Sequence, residues 1–156
     1  MALVSLAQII AASPFASWSA GSALAYPVAN VVHLLGLVLL VGGIAIVDLR
    51  LLGLFPKLPL EPLARALTPL AVAGLVLLAA SGSVLFAADA ASLATSSTFR
   101  TKLLLITLAV TNAVAFRLAF GRSAPEPVPV TARLMGLASL LLWLSTATMG
   151  RMIAYT

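Results

Sequence analysis

Long apolar stretches alternate along the chain with short segments rich in proline, glycine and small polar residues. Four of the stretches, at about 27–52, 63–88, 99–120 and 131–155, are each long enough to cross a hydrocarbon core at about 1.5 Å per residue. Lipid cannot satisfy open backbone groups, and these runs far exceed the roughly 10-residue strands of a barrel, so the pattern predicts helices. Gly53 and Pro56 end the first run, and Leu54 to Pro62, with Pro56, Lys57, Pro59 and Pro62, reads as a rigid turn. A polar Ala-Ser-Thr loop at about 89–98 precedes the third run, for which Thr98 or Ser97 is the expected N-cap. Gly121 to Val130, carrying Pro125, Pro127 and Pro129, leads into the fourth. Links this short force neighbouring helices to run antiparallel.

The beginning of the chain follows a different pattern. Residues 2 to 12 are apolar but too short to span, and Ser13-Pro14 supplies a cap and an opening proline for a second short segment that continues past Trp18 to Tyr26-Pro27. Both aromatics suit the interfacial belt. Residues 1–26 hold no Lys or Arg, so the positive region of a secretory signal is missing and the segment is expected to be retained. The predicted fold is all-α: an integral membrane four-helix bundle with a short N-terminal interfacial helical arm, residues 1–156 forming a single membrane domain.

Composition sharpens this picture. Hydrophobic residues make up 62% of the chain and charged ones 8%, against about a quarter charged in a soluble domain, which excludes a water-soluble fold. The net charge of +5 does not indicate a nucleic-acid partner, because the basic residues stand in ones and twos at the ends of apolar runs. Arg50, Lys57, Arg65, Arg117, Arg122 and Arg133 fall on the side of the two tight turns, and Arg100, Lys102 and Arg151 on the other. By the positive-inside rule both termini are expected outside the cytoplasm. The absence of cysteine removes disulfides, thiolate metal sites and cysteine nucleophiles. No nucleotide loop, zinc-hydrolase helix or nucleophile elbow occurs, nor a pair of intramembrane carboxylates, so an enzyme acting by itself is not expected.

Candidate chemistry gathers at the end of the bundle that holds the termini. Ala29, His33, Gly36, Leu40, Gly43, Val47 and Arg50 recur at steps of three and four and form one stripe of the first helix, which turns the single histidine into the bundle. Lys102, Leu105, Ala109, Asn112 and Phe116 repeat the pattern in the third, and Ser145, Met149 and Met152 share a face of the fourth. Chain direction brings His33, Lys102, Met149, Arg151 and Met152 to one half of the membrane, with Tyr26, Asn30, Asp89 and Arg100 near it. Polar groups at membrane depth mark a functional route or partner site. An inward imidazole can ligate haem iron, with methionine as second ligand and Arg100, Lys102 or Arg151 pairing with propionates. His33 with Met149 and Met152 also draws a three-ligand copper site. The structural alternatives are an interhelical hydrogen bond for His33, gap filling for the methionines and a helix-to-helix bridge for Asn112. Asp48 and Arg50, two residues apart, do not share a helical face and are expected to meet other helices or water.

Tyr26-Pro27, His33-Leu-Leu-Gly36, Val47-Asp-Leu-Arg-Leu-Leu-Gly53, Phe99-Arg-Thr-Lys-Leu-Leu-Leu105 with Asn112, and Gly150-Arg-Met-Ile-Ala-Tyr155 together resemble an uncharacterised family of small bacterial four-span membrane proteins of unknown function. This resemblance implies topology and a bacterial inner membrane rather than an activity. More distantly, the Phe-Arg-x-Lys-Leu-Leu-Leu segment is similar to the membrane domain of the copper-resistance protein D family and to the lysine-bearing helix of the four-span bacterial protoporphyrinogen oxidase. The latter implies His33 as a haem or porphyrin ligand, with Lys102 and Arg100 meeting carboxylates. The oxidase family has a histidine after the lysine segment, whereas this chain has Asn112 and Ala113 nearby.

The leading expectation is a small membrane subunit that binds haem b and exchanges electrons with quinone or a partner protein. The alternatives are a cofactor-free structural or assembly subunit and a copper-handling or transport protein. Membrane lipids, and a homo-oligomer or larger membrane complex, are the expected partners.

Overall fold

The structure, a computed structural model, describes residues 2–155. Two short helices, α1 (Ala2–Ala11) and α2 (Pro14–Gly21), precede the long α3 (Ala25–Leu51) and α4 (Leu60–Ala88). A short α5 (Ala90–Thr95), the long α6 (Ser97–Phe120) and α7 (Val130–Met152), and a closing 3-10 turn (Ile153–Tyr155) follow. The chain is 84% helical without strands among the described residues, and α3, α4, α6 and α7 are each long and apolar enough to cross a membrane. It is an all-α, four-helix membrane bundle.

Local chemistry explains the boundaries. Ser13 caps α2, its Oγ accepting the Ala16 N–H at 3.2 Å ahead of Pro14 in the first turn. The cap of α6 is Ser96, one residue before Ser97 and two before Thr98, its Oγ accepting the Phe99 N–H at 3.3 Å. Pro27 and Pro62 lie inside the first turns of α3 and α4 rather than ahead of them, since the N–H that proline lacks has no intrahelical partner there. The expected loop at 89–98 contains α5, an alanine-rich turn of helix that packs on α1 through Ala7, Ala90 and Ala94.

The spans form an arc rather than a closed square. α3 packs on α4 and on α7, and α7 packs on α6. The α3–α4 seam is the tightest, and glycine makes it so. A Cβ on Gly74 would stand 2.5 Å from the Leu40 nitrogen and 2.6 Å from the Gly36 carbonyl oxygen, and one on Gly43 would stand 3.0 Å from the Leu67 carbonyl oxygen. In lipid, where tails are as apolar as leucine, such close packing drives helix association. The two outer helices, α4 and α6, keep their backbones apart and meet through side chains. Phe86 stacks on Phe99 at 5.3 Å between ring centroids, and at the opposite end Phe116 and Phe120 pack against the cluster containing Leu60 and Ala64. Leu35, Val76, Leu104 and Leu141 are among the large apolar residues exposed on the four spans, as lipid contact requires.

Candidate functional site

At the terminal end, register delivers His33 to its partner. Gly36 meets residues 74 and 78, and Gly43 meets 67 and 71. In an antiparallel pair, three residues back along α3 means three forward along α4, which brings 77 and 81 opposite His33. Ser81 is buried there, its Oγ 2.9 Å from His33 Nδ1. The hydroxyl has one proton and gives it to the Leu77 carbonyl at 2.6 Å, so toward the imidazole it acts as an acceptor. His33 Nδ1 therefore carries the hydrogen and donates to Ser81. The neutral ring then keeps its lone pair on Nε2, which is the nitrogen able to accept a hydrogen bond or bind a metal ion.

The other spans contribute around this pair. Gly82 leaves room beside the ring, a Cβ there standing 3.4 Å from His33 Cε1. Lys102 on α6 reaches toward α7, its Nζ lying 3.3 Å from where a Cβ of Gly150 would stand. All four spans thus meet at this end, through His33, Ser81, Lys102 and Gly150. Among the described residues no three His, Asp or Glu side chains converge, so His33 stands as a single imidazole.

The remaining candidates are dispersed. Arg100 is exposed and donates to the Thr95 carbonyl at 2.8 Å, and Arg151 donates to the Tyr155 hydroxyl at 2.8 Å with its guanidinium over that ring. Met149 is half-buried, whereas Met152 is 42% exposed and Ser145 is exposed. The inward stripe of α7 is instead Ala132, Gly136, Ser139, Trp143 and Thr146. Tyr26 and Asn30 are exposed on α3. Asn112 bridges helices, its Nδ2 donating to the Met135 carbonyl at 3.0 Å.

The turn end holds a second polar group of residues. Arg50 is buried and reaches three partners, with Nε donating to the Leu58 carbonyl at 2.6 Å, and one terminal nitrogen to the Pro56 carbonyl at 3.5 Å and Glu126 Oε1 at 2.8 Å. It ties the α3–α4 turn to the α6–α7 link. Asp48 is 3% exposed, and its backbone carbonyl oxygen lies 3.5 Å from where a Cβ of Gly136 on α7 would stand. Among the described residues, one buried side-chain oxygen has no hydrogen-bond partner, and it is Asp48 Oδ2.

Ser81 was missed in the sequence although it falls on the small-residue stripe Ala64, Ala71, Gly74 and Ser81 of α4. That stripe, aligned against the glycines of α3, could have located it. Ser139 had no comparable signal.

Fold and site together define a four-span membrane bundle with one oriented histidine at one end and a buried carboxyl at the other. Residues 18–156 match DUF6644, a family of unknown function, and the chain belongs to that family. No curated protein and no solved structure matches it.

Proposed function

We propose that the protein is a small inner-membrane subunit in which His33 is an axial ligand of haem b, the cofactor lying where the terminal end meets a second copy or a partner subunit, and that it passes electrons between that partner and quinone. The observation that carries this reading is the hydrogen bond from His33 Nδ1 to Ser81, which orients the ring and leaves Nε2 as the ligating atom. With one histidine in the chain, a bis-histidine site needs an imidazole from outside it. Lys102, held over Gly150, is the cation best placed to meet a propionate, because Arg100 and Arg151 are engaged locally. The excess of basic residues beside the two tight turns supports both termini outside the cytoplasm. The distant likeness of the Phe99 to Leu105 segment to bacterial porphyrin-handling and copper-resistance membrane proteins points the same way.

The test is an oxidised-minus-reduced absorption spectrum of gently purified protein beside His33→Ala and Ser81→Ala. A b-type spectrum absent in His33→Ala and shifted or weakened in Ser81→Ala supports the proposal. A featureless spectrum from haem-replete cells overturns it, and metal analysis then separates a copper protein from a cofactor-free assembly subunit.

A further inference from the structure

The arc of helices leaves a space that the His33 end does not use. Between α4 and α6, where their backbones stay apart, lies a cavity of about 840 Å³, within the size range of sites that take small molecules. Leu40, Ile44 and Trp143 form part of its floor, and Val72 on α4 with Val114 and Leu118 on α6 stand at its edge. These three edge residues are exposed, Leu118 at 82%, so the cavity opens sideways toward the acyl chains rather than along the bundle axis. Asp48 lines it and supplies the buried Oδ2 without a hydrogen-bond partner. A buried acceptor left unmade costs about 1–3 kcal/mol. Retaining one beside an apolar cavity is understandable if a ligand completes it.

We propose that this cavity binds a bilayer-soluble molecule with an apolar body and a hydroxyl at one end, an alkylated phenol in chemical class, which enters between α4 and α6 and, once the Asp48 side chain turns toward the cavity, donates its hydroxyl hydrogen to Asp48. Three features select that chemistry. The walls are largely aliphatic, which calls for an apolar body. The buried polar atom left without a partner is a carboxyl oxygen, which as a carboxylate calls for a donor. Arg65, Arg117 and Arg122 also line the space, and three guanidinium groups oppose an ammonium, leaving a neutral hydroxyl as the donor. The Asn112 side-chain N–H already donates to the Met135 carbonyl, and Asp48 is the anchoring contact. The site stands apart from the His33 end and does not rest on haem binding.

Trp143 makes the site observable. The chain has two tryptophans, and Trp18→Phe on the N-terminal arm leaves Trp143 as the sole indole. A ring-brominated para-hexylphenol and its O-methyl ether, each titrated into this variant in nanodiscs, report occupancy by contact quenching. The expected result is saturable quenching by the phenol at about tenfold lower concentration than by the ether, the fold-change of one hydrogen bond to a carboxyl. Asp48→Leu should bring the two probes to within about twofold of each other, the preference being lost with the acceptor. Val114→Trp is avoided because it adds an indole, so Val114→Phe is used to narrow the entry, and it should weaken both probes. Equal quenching by phenol and ether in the Trp18→Phe protein overturns the proposal and makes the cavity a slot for lipid chains. Absence of quenching overturns it as well. That comparison needs no Asp48 variant, so it decides the question even if Asp48→Leu fails to fold.

Discussion

His33 and Asp48 stand on the same helix, fifteen residues apart, which is about 22 Å along its axis, and their surroundings differ in kind. His33 lies beside the closest helix pair in the molecule, and its Nδ1 is matched to a serine whose own proton is already placed. Asp48 lies beside the most open part, with one oxygen matched to nothing. Along a single helix, backbone contact on one side supplies rigidity and a gap on the other supplies room. A bundle that closed both α3–α4 and α4–α6 equally would have the first without the second.

Substitutions can break this contrast. The largest effect is expected at Gly74, where any Cβ meets backbone atoms of Leu40 and Gly36 rather than a side chain that can move. Gly74→Val should destabilise by about 3 kcal/mol or prevent folding, as read by thermal unfolding in detergent. Gly42→Ala, which meets nothing within 4 Å, should leave the midpoint unchanged. Arg50→Ala removes the tie between the two tight turns. Because Glu126 is 57% exposed, the ion pair is partly screened, and the expected loss is about 1–2 kcal/mol, much of it from the unpaired Leu58 carbonyl. Conservative Arg50→Lys should recover less than half, since an ammonium cannot fork between carbonyl and carboxylate.

The smallest effects separate the two polar ends most sharply, because they differ in sign. Ser81→Ala strips the His33 Nδ1–H of its acceptor and should cost about 1 kcal/mol. Asp48→Leu removes an oxygen that has no partner, and should be neutral or stabilising by up to about 1 kcal/mol. Parallel unfolding curves of these two variants against the parent decide the matter. Equal destabilisation by both would show that Asp48 is satisfied in the folded protein and that the two ends do not differ in this way.

The architecture was legible because membrane helices announce themselves by length. Apolar runs bounded by Pro56, Pro59 and Pro125 leave no other spanning element, and the stripe from Ala29 to Arg50 reads inward because glycine and alanine mark the near neighbour. The α7 face was not legible for the complementary reason. Lipid is as apolar as the interior, so hydropathy barely varies around that helix, and Ser139 and Thr146 inside look like Ser145 and Thr148 outside. The spacing of Asp48 and Arg50 rules out one shared face and predicts that they meet other helices or water, and both are buried against other elements. Sequence spacing does not reveal that both faces are covered, one by α7 and the other by the turn that Arg50 holds. The cavity was hidden more deeply still, since it arises from two helices failing to pack.

The docking of the arm has a consequence for the order of events during synthesis. α1 and α2 leave the ribosome before α4 and α5, yet most of the surface they rest on belongs to those two later helices. Until then the arm must wait with its apolar residues uncovered. Ile9, Phe15 and Trp18 remain exposed even after docking, the last two stacked on each other at 5.8 Å. Exposed aromatics of this kind suit the headgroup level of a bilayer, which is where the uncovered arm is expected to rest until its partner helix exists. The contacts that seat the arm on α4 and α5 therefore form only after the helices it precedes have been made.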